Sequence, residues 1–157
     1  MGRIMNNTTS KVLNIEIREL RESDIEALSV IEQAAFSQPW SDKQFRELLD
    51  RDYCVYLTAL ADGQVAGCAG MTDICHEGDI DKVVVDEKLR GQGIADKLMT
   101  ELFARGNARG VEAYTLEVRV GNLPAIRLYE KHGFVSEGVR PKFYEAPVED
   151  ALIMWKR

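Results

Sequence analysis

The amino-acid sequence predicts an α/β (α+β) fold in which a mixed central sheet of about seven strands is flanked by about four helices. Segments with strand-like alternation and segments with helical periodicity follow one another in the order β, α, α, β, β, β, α, β, α, β, β. Short turns join the early strands and favour antiparallel pairing, whereas two later β-α-β passages favour a parallel portion. The length of 157 residues fits a single domain.

Local signals mark where the predicted elements begin and end. Ser23 and Ser41 each precede a segment of helical periodicity and are predicted N-caps. Residues 61–64, Ala-Asp-Gly-Gln, have the composition of a hairpin turn. Asn122 is a predicted N-cap for the last helix, and Gly133 stands where a C-cap glycine belongs. The strands are predicted at residues 12–18, 53–60, 65–71, 79–85, 114–120, 134–139 and 151–155, and the two later helices at residues 91–104 and 122–132.

The charge and hydropathy of the chain exclude several classes of function. The net charge is −6, which argues against non-specific binding of nucleic acid because such binding needs a basic face. No run of about 18 apolar residues is present, so we expect no membrane span. Residues 1–11 have the composition of a flexible N-terminal tail, and residues 12–157 form the predicted domain. We therefore expect a cytoplasmic protein that is a monomer or a weak dimer and binds neither nucleic acid nor membrane.

The cysteines and histidines do not form a metal-binding pattern. Cys54, Cys68 and Cys75 have neither disulfide-framework nor zinc-site spacing, and only His76 and His132 could add imidazole ligands. The three cysteines are expected to be buried thiols in a reducing compartment. We therefore predict that no metal is bound.

A glycine-rich segment follows the strand predicted at residues 79–85 and opens the next helix. Arg90-Gly91-Gln92-Gly93 precedes the helical periodicity that begins at Ile94. Backbone N–H groups at a helix start converge with partial positive charge, and glycine lets a phosphate approach them closely. The segment is neither a Walker A loop nor a dinucleotide-binding fingerprint, because the residues and spacing that define those motifs are missing. The predicted ligand is a phosphate or pyrophosphate.

This segment resembles the R/Q-x-x-G-x-G/A signature of the GCN5-related N-acetyltransferase (GNAT) superfamily. Arg90, Gly93 and Ala95 fit the signature. The resemblance implies that the loop holds the pyrophosphate of acetyl-CoA and that the preceding strand lines its pantetheine arm. Asp96 stands where a basic residue is common, and we expect its carboxylate to face away from the phosphates. The implied cosubstrate-binding residues are Val83, Val84, Val85, Arg90, Gly91, Gln92, Gly93, Ile94, Ala95, Asp96 and Asn122.

A second motif pairs a strand carboxylate with a helix tyrosine. Strand alternation places Glu117 and Arg119 on one face, and the helix that follows carries Tyr129. Together, Leu-Glu-Val-Arg-x-x-Asn and Ala-Ile-x-Leu-Tyr-Glu-Lys-x-Gly-Phe resemble the ribosomal-protein-alanine N-acetyltransferase (RimI) subfamily of the superfamily. That resemblance implies that Glu117 is the general base and Tyr129 the general acid. A base is needed because an α-amine is mostly protonated at neutral pH, and an acid because the departing thiolate needs a proton.

The resemblance also extends to the substrate side. The segments around Phe36 and Trp40 and around Tyr144 resemble the substrate-side segments of the same subfamily, so these three residues are the candidate acceptor contacts. The implied acceptor is the N-terminal α-amine of a protein, namely alanine of a small-subunit ribosomal protein, and the implied mechanism is direct transfer. We expect an open groove between residues 36–40 and 140–147, which fits a peptide better than a small molecule.

Two alternatives remain open at the level of sequence. The same fold could serve another amine, either a lysine side chain or a small molecule, although small acceptors usually need a closed acidic pocket. A coenzyme A-binding module without turnover would be expected to have lost the acid or the base. Glu117 and Tyr129 are both present, which favours an enzyme.

Overall fold

A computed structural model describes residues 12–157 and contains one seven-stranded sheet and four α-helices within that range. The predicted tail at residues 1–11 lies outside the described residues. The strands are β1 (Ile15–Glu19), β2 (Cys54–Ala61), β3 (Gln64–Ile74), β4 (Glu77–Val85), β5 (Ala113–Arg119), β6 (Val135–Glu145) and β7 (Val148–Lys156). The helices are α1 (Ile25–Ala35), α2 (Asp42–Leu48), α3 (Ile94–Ala108) and α4 (Leu123–Lys131).

The predicted mixed sheet is confirmed, with one correction to its topology. The strand order is β1-β2-β3-β4-β5-β7-β6, and β4 and β5 form its parallel pair. The second β-α-β passage, from β5 through α4 to β6, gives no parallel pair. The β6–β7 hairpin folds back so that β7 lies between β5 and β6 and pairs antiparallel with both.

The helices cover both faces of the sheet, because central strands such as β2 carry apolar residues on both faces. On one face, α3 and α4 pack over a cluster that includes Leu57, Met71 and Tyr129. On the other face, α1 and α2 pack over a cluster that includes Tyr56 and Val84. Neighbouring residues of β2 thus serve opposite cores, which is the expected pattern for a strand buried on both sides.

The sheet splits between β4 and β5. These strands pair only from Glu77 to Asp79 on β4, whereas β3 stays paired with β4 as far as Val85. A register shift between Gly70 and Met71 on β3 leaves one extra residue, Asp81, on β4. Such bulges bend a strand, and here the bulge lies just where β4 leaves β5. The separation creates an opening beside the last residues of β4.

Several local predictions need correction. Ser23 is not the first N-cap, because a 3-10 turn at Glu22–Asp24 precedes α1 and the Asp24 carboxylate accepts the Arg21 N–H at 2.9 Å. Ser41 does cap α2, since its Oγ accepts the Gln44 N–H at 3.2 Å. The predicted helix at residues 91–104 starts three residues later, because Gly93 adopts a left-handed conformation with φ of +80°.

The prediction of three buried cysteines holds for Cys68 only. Cys54 is half-buried, and Cys75 is exposed because it lies in the tight β3–β4 turn with φ of +50°. Among residues 12–157, no helix has the length and apolar character to cross a membrane. The same range holds no group of three His, Cys, Asp or Glu side chains arranged to bind a metal ion.

Candidate active site

A cleft of about 530 Å³ opens where β4 and β5 separate. Its walls are the end of β4, the loop that follows, the first turn of α3 and the inner side of α4. The cleft therefore brings together nearly all of the residues that the sequence assigns to cosubstrate binding. Those that line it are Val83, Val84, Val85, Arg90, Gly91, Gly93, Ile94, Ala95, Asp96 and Asn122, together with Tyr129 and Phe36, while Gln92 lies outside its lining.

The glycine loop presents its backbone to this cleft. Gly91 and Gly93 have φ of +78° and +80°, a region that L side chains rarely adopt, so glycine is required for the path of the loop. Within the described chain no side chain caps the first turn of α3, and its N–H groups are available to an anion. The Arg90 Nε–H donates to the Val85 carbonyl at 3.3 Å, which holds a guanidinium at the same wall.

Asp96 is engaged with the end of α4. Its carboxylate accepts from Lys131 Nζ at 3.0 Å and lies 2.9 Å from His132 Nε2. Burial would raise the pKa of Asp96, but the hydrogen bonds from these two partners outweigh it and lower that pKa. The carboxylate therefore links α3 to the end of α4 and has the Lys131 ammonium and the His132 ring as its neighbours.

The helix α4 places Tyr129 at the inner wall of the cleft. Asn122 begins the helix, because its Oδ1 accepts the Ala125 N–H at 3.3 Å. Tyr129 is 9% exposed and packs edge-on against Phe134. Burial, with a smaller contribution from Tyr144, raises the pKa of Tyr129 to about 12. The phenol thus keeps its proton at neutral pH and can donate it.

Glu117 lies on the other side of the split. Its neighbours Leu116 and Val118 pack with α3 and α4, so the Glu117 side chain projects from the opposite face of β5. Arg140 of β6 donates to the Glu117 carboxylate, with Nε to Oε2 at 3.2 Å. The glutamate is therefore not part of the lining of the cleft that holds Tyr129.

Tyr144 interacts electrostatically with both the candidate base and the candidate acid. Burial raises its pKa first, and the charge of Glu117 raises it further. Tyr144 in turn raises the pKa of Tyr129. The Arg119 guanidinium lies 4.4 Å from the centroid of the Tyr144 ring and forms an ion pair with Glu149 at 3.1 Å. These contacts hold the part of the β6–β7 hairpin next to its turn, where Tyr144 pairs with Glu149.

A buried ion pair anchors the segment that follows α1. The Lys82 ammonium pairs with Glu32, which has no exposed surface, and lies 4.1 Å from the Trp40 ring centroid and 4.7 Å from that of Phe36. The Glu32 carboxylate also accepts the Trp40 N–H at 3.2 Å. This segment carries two of the three candidate acceptor contacts. Phe36 lines the cleft, whereas Trp40 packs on Phe45 and lies outside the cleft lining.

The expected open groove is crossed by a contact between its two rims. The Ser37 hydroxyl donates to the Ala146 carbonyl, which joins the segment after α1 to the β6–β7 hairpin. Arg119 Nη1 donates to the Pro147 carbonyl at 2.9 Å and supports the same hairpin. An acceptor must therefore reach the split beneath this contact or displace it.

Sequence reasoning missed one polar residue of the split. Asp79 is the last β4 residue paired with β5, and burial, with contributions from the charges of Glu117 and Asp81, raises its pKa to about 6. No distinct signal marked it in the sequence, because Asp79 shares its strand with Glu77, Asp81 and Lys82. Its role depends on which strand lies beside β4, and the sequence alone does not reveal that neighbour.

A mixed sheet that splits beside a glycine loop at a helix start, with a carboxylate on one face of β5 and a buried phenol on the other, is the architecture of an acyltransferase of the N-acetyltransferase class. The chain belongs to the acetyltransferase (GNAT) family, whose profile matches residues 25–134. It is an acetyl-CoA-dependent N-acetyltransferase.

Similar proteins include enzymes that modify a ribosomal protein. The Escherichia coli ribosomal protein bS18-alanine N-acetyltransferase is 33% identical over 140 residues, which is 88% of this chain and 94% of that protein. The crystal structure of the ribosomal-protein-S18-alanine N-acetyltransferase from Escherichia coli superposes with a TM-score of 0.83 at 31% identity, covering 91% of this chain and 93% of that one. Ard1 from Thermoplasma volcanium has the same TM-score of 0.83 at 27% identity, with 90% of this chain and 96% of that one covered.

Proposed function

We propose that this enzyme transfers the acetyl group of acetyl-CoA to the N-terminal α-amine of a protein, and that the acceptor residue is alanine of a small-subunit ribosomal protein. The observation that carries the proposal is the arrangement of Glu117 and Tyr129 on opposite faces of the sheet at its split. The names of the Escherichia coli relatives support the choice of acceptor. Such an acceptor places the reaction in the cytoplasm.

The residues of the cleft fit acetyl-CoA. Positive-φ glycines beside an uncapped helix start suit a pyrophosphate, and the apolar end of β4 suits a pantetheine arm. Arg90 adds a formal positive charge near the phosphates, and Asn122 and Pro124 form the opposite wall. Acetyl-CoA supplies the acetyl group as a thioester, and the chain holds that group at the split.

Glu117 acts as the general base. An α-amine has a pKa of about 8, so at neutral pH its lone pair is blocked by a proton. The Glu117 carboxylate, held by Arg140 on the acceptor side of β5, accepts that proton directly or through water. Burial, and also the charge of Glu117, raises the pKa of Tyr144, which keeps that hydroxyl protonated near the base.

Tyr129 acts as the general acid on the other side of the split. The raised pKa of about 12 keeps its hydroxyl protonated until the departing thiolate needs a proton. A base on the acceptor face and an acid on the thiol face match the requirements of direct transfer, in which both substrates are bound together and no covalent enzyme intermediate forms.

The acceptor side is shaped for a chain end. Phe36 lines the cleft at its mouth, and the Ser37–Ala146 contact crosses the groove above it. We propose that Phe36 and Tyr144 contact the first residues of the acceptor, while Trp40 supports Phe36 from beneath through packing on Lys82. A contact across the groove favours a narrow N-terminus over a side chain that emerges from a folded surface.

An acetyl-transfer assay that detects thiol release tests this proposal. The acceptors are a peptide with the N-terminal sequence of the ribosomal protein, the same peptide blocked at its α-amine, and a mixture of small amines. Turnover on the free peptide alone is the expected result. Turnover confined to the blocked peptide or to the small amines contradicts the proposed acceptor. In the matched variant Glu117→Gln, the side chain keeps its size but loses the base, and we expect kcat to fall by about 10²-fold or more.

A further inference from the structure

Asp79 and Glu117 stand together at the apex of the sheet split. Asp79 pairs with Thr115 on β5, and Glu117 lies two residues further along the same strand. Ile80 packs with α3 and α4, as do Leu116 and Val118, so Asp79 and Glu117 share the opposite face. The two carboxylates therefore lie on the same face of neighbouring strands where the pairing ends, and the charge of Glu117 acts on Asp79.

The surroundings of Asp79 differ from those of a surface carboxylate. It is half-buried, and the charges that act on it are Glu117 from β5, Asp81 from its own strand and Arg140 from β6. The two carboxylates raise its pKa and the arginine lowers it, with burial as the largest cause, and the pKa is about 6. Asp81, in contrast, accepts hydrogen bonds from the hydroxyls of Tyr56 and Thr72.

We propose that Asp79 is a proton relay for this site, taking from Glu117 the proton that Glu117 removes from the acceptor ammonium and releasing it to solvent. The inference rests on the proposed function, because it needs Glu117 to act as the base. Asp79 acts through Glu117 and does not touch the acceptor. Its role is to receive the proton from Glu117, and it is therefore a positioning residue and not a catalytic one.

The proton balance is closed by this chain and water alone. The acceptor ammonium loses one proton to the Glu117 carboxylate and becomes a neutral amine. Glu117 passes that proton to the Asp79 carboxylate, directly or through water, and returns to its charged form. The Asp79 carboxyl, which is half-buried, then releases the proton to bulk water. No oxidant, reductant or further substrate is required.

A relay suits the position of Glu117 better than direct exchange with solvent during turnover. Arg140 covers one carboxylate oxygen of Glu117, and the bound acceptor is expected to occupy the approach from the groove. Asp79 lies on the other flank, at the point where β4 still pairs with β5. A second carboxylate that titrates near neutrality can take a proton from Glu117 and lose it again within one cycle.

The test is the pH dependence of turnover in wild type and three variants. Thiol release with the alanine-starting peptide is followed from about pH 5 to about pH 9, with Asp79→Asn, Asp79→Glu and the control Asp81→Asn. In wild type we expect kcat to rise with pH through a midpoint close to the pKa of about 6. In Asp79→Asn we expect kcat at neutral pH to fall by about tenfold, the step to disappear, and KM for acetyl-CoA to stay unchanged.

Two further readouts separate a relay from a structural role. A small diffusible base such as imidazole should restore turnover of Asp79→Asn, because it takes the place of the missing carboxylate. Asp79→Glu should retain most of the wild-type kcat. Asp81→Asn should keep kcat at neutral pH within about twofold of wild type and move the midpoint of the pH profile to lower pH, because it removes a charge that adds to the effect of burial in raising the pKa of Asp79. The thermal midpoint of each variant, measured in parallel, checks that it is folded.

Each outcome decides the inference. If wild type turns over and Asp79→Asn keeps its kcat and pH profile, the relay is wrong and the proposed function stands. A loss in Asp79→Asn that neither imidazole nor Asp79→Glu reverses also overturns the relay. If wild type acetylates a different amine, the proposed acceptor is wrong. The same comparison of wild type with Asp79→Asn, made with that amine, then upholds or overturns the relay, since the relay concerns the ammonium. If wild type acetylates no amine, the proposed function fails and the relay fails with it.

Discussion

Removal of one oxygen atom from Tyr129 tests the proposed acid with little other change. In Tyr129→Phe the ring keeps its edge-on contact with Phe134, whose centroid lies 5.9 Å away. The side chain is 9% exposed and the pKa of its hydroxyl is raised to about 12, so wild type presents a protonated donor at every pH at which the enzyme is assayed. The variant therefore lacks the donor and retains the packing.

The expected loss is large enough to separate an acid from a residue that only positions the thioester. A well-placed general acid contributes about 10²–10⁴ in rate, which is about 2.7–5.5 kcal/mol of barrier. We expect kcat of Tyr129→Phe to fall by at least about 10²-fold. Binding of acetyl-CoA should change by less than about threefold, because the cleft wall keeps its shape.

The assay compares thiol release with direct binding of acetyl-CoA by calorimetry. The matched control is Tyr114→Phe, which removes a buried hydroxyl that donates to Asn107 Oδ1 at 2.7 Å near the C-terminal end of α3, whereas the cleft lies at its N-terminal end. That variant should lose about 1 kcal/mol of stability and keep its kcat. Wild-type kcat in Tyr129→Phe, or a fall that matches a loss of acetyl-CoA binding, would refute the role as acid.

Three further experiments test the loop, the buried ion pair and the acid stability of the fold. Gly93→Ala and its control Gly63→Ala each introduce a Cβ at nearly the same positive φ, +80° and +82°. Both variants should therefore lose about 1 kcal/mol of stability in urea unfolding, but only Gly93→Ala should weaken the binding of acetyl-CoA measured by titration. Lys82→Met leaves the buried Glu32 carboxylate uncompensated and should cost about 3–5 kcal/mol, most of which Glu32→Gln added to Lys82→Met should recover. Burial raises the pKa of Asp24, but hydrogen bonds, chiefly from Arg18, outweigh it and lower that pKa below 3.8. The contribution of Asp24 to stability is therefore present above pH 3.8 and is lost as the pH falls through the folded-state pKa. Asp24→Asn should therefore unfold at lower urea than wild type at neutral pH, and that difference should shrink near about pH 2.

The sequence was sufficient for those parts of the fold that local chemistry determines. Alternation, β-forming residues and the turns between them predicted all seven strands, and Asp62-Gly63 marked the β2–β3 turn because few other dipeptides adopt its conformation. The position of β7 between β5 and β6 was not predictable in this way. Strand order depends on which edge is free when the last hairpin forms, and that is a property of the whole sheet.

The candidate site likewise has one part that local sequence predicts and another part that depends on the whole sheet. The glycine loop is continuous in sequence, so a single motif was enough to predict nearly all of the loop residues that line the cleft. Arg140, Asp79 and the Glu32–Lys82 pair come from three separate elements, and no spacing rule connects them. Each becomes meaningful only when the register of the sheet places it beside Glu117 or beneath Phe36.

The split between β4 and β5 keeps the proposed base and the proposed acid apart, so that neither takes the proton that the other handles. A carboxylate within hydrogen-bonding distance of the phenol would compete for the proton that the thiolate needs. Here Glu117 projects from one face of β5 and Tyr129 packs against the other, while the three-residue pairing of β4 with β5 leaves the space between them open to the thioester. The acceptor can then approach from the face of α1 and α2 and the thiol can leave on the face of α3 and α4. On this view, any substitution that extended the β4–β5 pairing beyond Asp79 would stop transfer without touching either functional side chain.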